Sequence, residues 1–126
     1  MISTMRKKHA KILSYFLGDM LNISTSKNFP GFFYRSRAHA MIVLIIAESD
    51  IKKEDMSFED ICTIIPKYVS SRTTIKTILD HGIKYKYFIK NISIIDKRKK
   101  IYSPSQEMKI FMLEWISRNN KIFKIL

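Results

Sequence analysis

The segment from Ala40 to Ala47, AMIVLIIA, has no polar side and constrains the fold more than any other stretch of the chain. A run without a polar face has to be buried among other elements. It is far shorter than the roughly 20 residues that a membrane-spanning helix needs, so we expect no membrane partner. Its length and its flanking alanines favour a central helix over a buried strand.

Two amphipathic segments, one near each end of the chain, predict further helices. Apolar residues recur at helical spacing from Ile12 to Leu21, which predicts a helix of about four turns. A similar stripe runs from Met108 to Phe123 near the other end. Residues 22–36 contain Pro, Gly and a Ser/Asn cluster, so we expect a loop there, with the aromatic residues 32–34 packed under the central helix.

Length and composition indicate a globular chain with one core. The 126 residues suit a single domain, and they include only three glycines and three prolines. Cys62 is the lone cysteine, so an intramolecular disulfide is impossible and a cytoplasmic location is expected. Asp19 interrupts an N-terminal apolar run that otherwise resembles a signal peptide. The expected fold class is mainly α with a small antiparallel β-hairpin.

A strong excess of positive charge is the most informative global property. The chain has 23 basic and 11 acidic residues, for a formal net charge of +12. Residues 48–60 hold six acids and two lysines, whereas residues 66–103 hold ten cations and two acids. Because a surface this basic attracts polyanions, nucleic acid or an anionic membrane face leads the list of partners.

The segment SFEDICTIIPKYV predicts a short helix in the middle of the chain. Ser57 can cap its N-terminus, and Glu59 and Asp60 suit the positive end of the helix dipole. Pro66 stops the helix, because proline lacks the N–H that a helix interior uses.

The next segment, SSRTTIKTILDHGI, predicts a helix with a basic, hydroxyl-rich outer face. Ser70 or Ser71 can cap it, and isoleucine and leucine residues from 75 to 83 form its buried face. Gly82 weakens the helix by about 1 kcal/mol relative to alanine, so we expect a bend or a close contact there. The outer face consists of Arg72, Thr73, Lys76, Thr77 and Asp80, with Thr74 near its border.

A hairpin and a final helix follow. KYFIKNISII predicts a first strand, DKRKK a charged turn and IYS a second strand. For the final helix, Ser103 is expected as N-cap, Pro104 as the first helical residue and Gln106 as the partner that completes a capping box.

This order of elements resembles the winged helix-turn-helix of MarR-like transcription regulators over nearly the whole chain. The resemblance rests on SFEDICTIIPKYVSSRTTIKTILDHGI as the helix-turn-helix, YFIK as the first wing strand, Asp96 and Arg98 as the Asp-x-Arg of the wing, and YSPSQ before the last helix. It implies one winged-helix domain over residues 1–126. The domain would have a helix-turn-helix at 57–81, a wing at 87–103 and dimerisation helices at 1–24 and 104–126.

The resemblance implies a nucleoid-associated regulator that binds double-stranded DNA, with repression as the default mode. A helix fits the major groove and reads base edges near its N-terminal end, so we expect Arg72 to contact guanine. Arg98, restrained by Asp96, is the residue expected to reach the minor groove. The candidate DNA-binding residues are Ser70, Ser71, Arg72, Thr73, Thr74, Lys76 and Thr77 on the helix, Asp96, Lys97, Arg98, Lys99 and Lys100 on the wing, and Arg35 and Arg37 at flanking phosphates.

The family also implies a homodimer, because its first and last helices pack against a two-fold mate. Two recognition helices would then lie roughly 34 Å apart on a pseudo-palindrome. The candidate interface residues are Ile12, Phe16, Met20, Phe111, Trp115 and Ile122. Aromatic residues at 15, 32–34 and 115 could line an effector pocket, as in the family, although core packing is the preferred interpretation.

Other functions have less support in the sequence. A catalytic triad, paired carboxylates or a Gly-rich phosphate loop is absent, so we expect no enzyme and no cofactor. The three histidines, His9, His39 and His81, are unclustered, and we expect no metal site. Two alternatives stay open: a winged-helix module that binds an acidic protein, and a phage or plasmid accessory DNA-binding protein such as a replication or anti-host factor. Taken alone, the four cations at residues 97–100 also suit a solvated turn.

Overall fold

The computed structural model describes residues 6–23 and 29–124. Within these ranges the chain forms helices and a two-stranded antiparallel sheet, so the mainly helical class with a small hairpin is confirmed. The elements are α1 (Lys7–Ile23), α2 (Phe29–Phe33), α3 (Arg37–Ile51), α4 (Phe58–Ile64), α5 (Arg72–Lys84), β1 (Phe88–Ile92), β2 (Lys100–Pro104) and α6 (Gln106–Phe123). Residues 24–28 of the predicted loop, and residues 1–5 and 125–126 of the predicted dimerisation helices, lie outside the described residues.

The apolar run forms the central helix α3, as predicted. Ile42, Val43 and Ile46 are fully buried and form the middle of the hydrophobic core. Ser36 caps the helix, because its Oγ accepts a hydrogen bond from the backbone N–H of His39 at 3.1 Å. Leu44 is 40% exposed, so one side of the helix reaches the surface. Across the described ranges, every helix is too short or too polar to cross a bilayer.

The short helix α2 lies where the sequence predicted only a loop. Phe29, Phe32 and Phe33 are buried, and the Phe29 ring lies 4.8 Å from that of Phe111 and 5.1 Å from that of Tyr87. Proline is tolerated in a first helical turn, where its missing N–H would have no partner. The Pro-Gly signal was therefore misleading, because burial of the three phenylalanines favours a compact helical turn.

Helices α4 and α5, each with a serine as N-cap, begin at the positions predicted from the sequence. Ser57 and Asp60 form a reciprocal capping box at α4, with hydrogen bonds of 3.0 and 3.2 Å. Ser71 caps α5 by accepting from the backbone N–H of Thr74 at 3.1 Å. The buried face of α5 contains Ile75, Ile78, Leu79 and Gly82.

Gly82 makes a close contact and does not interrupt α5. The helix continues through it to Lys84, and a Cβ atom built on Gly82 would lie 2.1 Å from Cδ2 of Phe88. The Phe88 ring, which is 2% exposed, therefore lies against the α5 backbone and fixes the start of the hairpin on this helix.

The first strand of the hairpin is shorter than predicted at both ends, and the second strand is longer at both ends. Phe88 pairs with Pro104 and Ile92 pairs with Lys100, so residues 93–99 form the turn, including two isoleucines assigned to the first strand. The predicted capping box of α6 is wrong. Pro104 is a strand residue, and Ser105 is the N-cap, accepting from the N–H of Met108 at 3.2 Å. Strand pairing continues through Pro104 because Ser105 N–H also bonds to Tyr87 O, which keeps the chain extended.

Helix α1 packs against the C-terminal part of α6. The rings of Phe16 and Phe123 are 5.8 Å apart. Asp19 accepts a 3.0 Å hydrogen bond from the Tyr34 hydroxyl, which in turn accepts one of 2.9 Å from Trp115 Nε1. Most of the apolar stripe on α1 is nevertheless exposed: Leu13, Leu17, Met20 and Leu21 are each more than half accessible.

Candidate nucleic-acid interface

A groove of about 600 Å³ lies between the start of α4, the middle of α5 and the hairpin. Five basic side chains line it, compared with two acidic ones, and we call it the basic groove. Its charged lining residues are Lys76, Lys90, Arg98, Lys99, Lys100, Glu59 and Asp60. The local folding explains this arrangement, because Phe88 holds the first strand on α5 and so places Lys90 of β1 close to Lys76 of α5.

The hydroxyl groups at the start of α5 already have partners. Ser71 Oγ donates to Thr74 Oγ1 at 3.0 Å, and Thr77 Oγ1 donates to the carbonyl oxygen of Thr73 at 3.0 Å. Ser70 is buried, at 8% exposure. Of the predicted contact residues here, Ser71, Thr73, Thr74 and Thr77 are exposed and Ser70 is not. A ligand at this helix end would therefore contact hydroxyl groups that already form hydrogen bonds within the helix. Because Ser70 is buried, its side chain would not contact the ligand.

Arg72 is exposed but is already bound by a carboxylate. Its Nη1 and Nη2 donate to the two oxygens of Glu59 at 3.1 and 2.5 Å, and its guanidinium lies 5.1 Å from the Phe58 ring centre. The hydrogen bond from Arg72 lowers the pKa of Glu59, and the same bond raises the pKa of Arg72. Both groups therefore stay charged at neutral pH, and Arg72 can contact a base only when Glu59 releases it.

Two lysines from different elements meet on the walls of the basic groove. Lys76 Nζ lies 3.3 Å from Asp80 Oδ1, and Lys90 Nζ lies 5.7 Å from the Tyr102 ring centre. Partial burial lowers the pKa of Lys90, and the positive charge of Lys76 lowers it further. Two ammonium groups that repel each other in a concave surface form a favourable place for an anion, because a bound negative charge removes the repulsion.

The Asp96–Arg98 pair forms as the resemblance implied. Asp96 Oδ1 accepts from the backbone N–H of Arg98 at 3.1 Å and from its Nε at 3.4 Å. The Arg98 side chain is nevertheless 92% exposed, so Asp96 contacts the guanidinium only through Nε and most of the side chain faces solvent.

Lys99 links the hairpin to the start of α4. Its Nζ lies 3.3 Å from Asp60 Oδ2, the same carboxylate that caps α4. Partial burial alone would raise the pKa of Asp60, but hydrogen bonds from Ser57 and Lys99 outweigh it and lower the pKa. Lys97 and Lys100 have no carboxylate within ion-pair distance in the part of the chain that the structure describes. Among the lysines of residues 97–100, these two are therefore the most available to an anion.

Arg35 and Arg37 lie away from the basic groove. Arg35 lines a small depression of about 250 Å³ with Phe32, Tyr85 and Tyr87, at the C-terminal end of α5. Arg37 is the exposed first residue of α3. Neither residue is brought next to the N-terminal end of α5, so they do not extend the same surface.

Three of the predicted dimer residues are buried by the chain itself. Ile12, Phe111 and Ile122 are 4–8% exposed. Trp115 packs on Phe33, with ring centres 5.5 Å apart, so it and its aromatic neighbours form core and not an effector cavity. Phe16 is half-buried and Met20 is exposed. The apolar surface that a second copy could cover is instead formed by Leu13, Leu17, Met20 and Leu21 on α1 and by Leu113 and Ile116 on α6.

Lys90 was not among the predicted site residues, and Glu59 and Asp60 were predicted only as capping residues. Lys90 lies opposite Tyr102 because of the hairpin register, which alternation along a single strand does not determine. Within the described ranges, no three potential metal-ligating side chains lie together. Comparisons with protein-family models, with curated proteins and with solved structures found no match to this chain.

Proposed function

We propose that this chain is a winged helix-turn-helix protein that binds double-stranded DNA and acts as a homodimeric, MarR-like repressor. Helices α4 and α5 would be the helix-turn-helix, and the β1–β2 hairpin would be the wing. The observation that carries the proposal is the basic groove, where side chains from α5 and the hairpin face the same concavity. A phosphate backbone is the natural ligand of such a surface on a chain with a net charge of +12.

The proposed DNA contacts are of two kinds: contacts to phosphates position the protein, and contacts to bases read the sequence. Lys76, Lys90 and Lys100 would neutralise phosphates, since a phosphate between the lysines of the groove relieves their repulsion. Arg72 would read a base from the N-terminal end of α5 after exchanging Glu59 for guanine. Arg98, whose backbone N–H and Nε donate to Asp96, would reach the minor groove.

A second copy would cover the exposed apolar residues of α1 and α6. Leucines on both helices are more than half accessible, which is unfavourable unless another surface buries them. A stable dimer typically buries about 800 Å² per partner. Leu13→Glu/Leu17→Glu should yield a monomer by analytical ultracentrifugation, whereas Ile64→Glu, another exposed apolar residue, should leave the mass unchanged.

The dependence of affinity on salt tests the DNA proposal. Each neutralised phosphate contributes about −0.9 to the slope of log affinity against log salt, so several groove contacts per chain predict a steep decrease. Affinity for a mixed-sequence duplex would be measured by fluorescence anisotropy between about 50 and 200 mM salt. A flat slope, or the absence of binding at low salt, would contradict the proposal.

A second candidate, a module that binds an acidic protein, has one observation in its favour. Arg72, Lys76, Arg98 and Lys99 each pair with a carboxylate within the chain, and carboxylates are the groups that an acidic protein would offer. Selection of bound sequences from a random duplex pool separates the candidates. A palindromic consensus supports the repressor, enrichment without symmetry indicates a nonspecific binder, and recovery of nothing favours the protein module.

A further inference from the structure

The tip of the hairpin is apolar as well as basic. Ile94 and Ile95 lie in the turn formed by residues 93–99 and are 95% and 90% exposed. Among the described residues, they are the two most exposed large hydrophobic side chains. The cations of residues 97–100 follow them in the chain after Asp96. A fold does not gain stability from side chains in this position, so their exposure needs another explanation.

The turn that carries these isoleucines is held in one conformation by polar groups. Ser93 is 1% exposed, and its Oγ donates to Asp55 Oδ2 at 2.5 Å. The same oxygen accepts from the backbone N–H groups of Ile95 and Asp96, both at 3.2 Å. Backbone bonds from Ser93 N–H to Lys99 O and from Lys99 N–H to Asp96 O close the turn.

These hydrogen bonds use backbone atoms and the side chains of Ser93 and Asp55, and no isoleucine side chain. The turn is therefore built without Ile94 and Ile95, and it presents them to solvent on a fixed support. A preorganised apolar tip loses little conformational entropy when it enters a partner.

We propose that Ile94 and Ile95 form a wedge that enters the minor groove, partly unstacks one base step and bends the duplex. This inference rests on the proposed DNA-binding function and adds a deformation to it. Isoleucine is among the apolar side chains that insert between base steps in proteins that bend DNA. The neighbouring cations would hold the phosphates on either side of the opened step.

The surface around the tip favours a duplex over a lipid bilayer. Ile94 lines a depression together with Ile92, Lys90 and Lys100, and the two lysines also line the basic groove. The apolar tip and the groove therefore form a continuous surface that reaches back to α5. A convex duplex can fill this concavity and meet the tip at the same time, whereas a planar bilayer would touch only the tip.

Energy transfer between the ends of a short duplex tests the wedge. The full chain is added at saturation to a duplex of about 20 base pairs with a central TA step, which unstacks easily, and with a dye at each end. The wild-type protein should bend it by roughly 20–90° and raise the transfer efficiency. Ile94→Ser/Ile95→Ser should still bind but lose this increase. Ile51→Ser, at a 75% exposed position on α3, is the matched control and should bend the duplex as the wild type does.

The outcomes separate the wedge from the function on which it rests. If the wild type binds the duplex without bending it, or if the double variant bends it equally, the wedge is wrong and DNA binding stands. If no duplex is bound at low salt, both proposals fail. If the double variant bends DNA normally but loses binding to phosphatidylserine vesicles that the wild type binds, the isoleucines serve a membrane contact and the wedge is overturned.

Discussion

The carboxylate of Glu59 accepts hydrogen bonds from both terminal nitrogens of Arg72, at 3.1 and 2.5 Å. This fork-to-fork geometry is the same one that arginine uses to bind the O6 and N7 atoms of guanine. Glu59 of α4 therefore acts as an internal substitute for the base edge that Arg72 is proposed to read. Both groups are exposed, so the pair contributes little free energy and opens at a small cost.

Removing Glu59 should strengthen DNA binding. Glu59→Ala frees Arg72 and deletes a negative charge from the basic groove, so affinity for a mixed-sequence duplex should rise about two- to fivefold at low salt. Glu114→Ala removes an exposed acid on α6 and is the control for the change in net charge. Equal gains in the two variants, measured by anisotropy, would show that only net charge matters.

Substitution of Arg72 should reduce sequence preference, whereas substitution of Lys90 should reduce affinity for every duplex. Arg72→Ala should reduce the preference for one base pair in each half-site by about 1–3 kcal/mol. Lys90→Gln should weaken specific and random duplexes alike and reduce the salt slope by about 0.9. The measurement is a titration of each variant against a selected and a scrambled duplex. Identical effects of the two substitutions on both duplexes would contradict the assignment of Arg72.

Two glycines should respond oppositely to alanine. At Gly82 the added methyl would overlap the Phe88 ring, and overpacking of this kind typically costs about 1–3 kcal/mol in the free energy of unfolding. At Gly18 on α1 no atom lies within 4 Å, so Gly18→Ala should stabilise the helix by up to about 1 kcal/mol. Chemical denaturation measures both. A stabilising Gly82→Ala would mean that Phe88 does not pack on α5 in solution.

Stability should decrease in mild acid because of His39. Burial, followed by the positive charges of Arg35 and His81, lowers the pKa of His39 from 6.5 to about 4. The unfolded chain therefore binds a proton more readily than the folded one. The stability that this difference provides is complete above pH 6.5 and is lost as the pH falls towards 4, by roughly 1–2 kcal/mol at pH 5.

His39→Gln tests that prediction, because glutamine does not titrate. The decrease in the free energy of unfolding between pH 7 and 5 should be smaller in the variant by the amount assigned to His39. The absolute stability of the variant is not the measure, since Ser36 Oγ lies 2.6 Å from His39 Nδ1 and the substitution disturbs that contact. An unchanged slope would assign the acid sensitivity to other groups.

Periodicity and capping chemistry in the sequence predicted most of the helices. The length and flanking alanines of the all-apolar segment favoured a helix over a buried strand, and Ser57 with its two following acids predicted the start of α4. These signals are local, because a helix stripe and a cap depend on residues three or four apart. The basic tip is also local in the sequence, whereas the Asp96–Arg98 pair was predicted from the family resemblance.

Only the tertiary structure decided which charged side chains form ion pairs and where the hairpin ends. Glu59 and Arg72 are thirteen residues apart, and Asp60 meets Lys99 from another element, so neither ion pair is visible in a local pattern. The choice of Ser105 over Ser103 as the cap depended on Tyr87 O, which binds Ser105 N–H across the hairpin. The sequence by itself determined the helical segments other than α2 and how strongly basic the chain is. Packing of Phe88 on Gly82 brought Lys90 to α5 and created the basic groove, because contacts between distant residues exist only after the chain has folded.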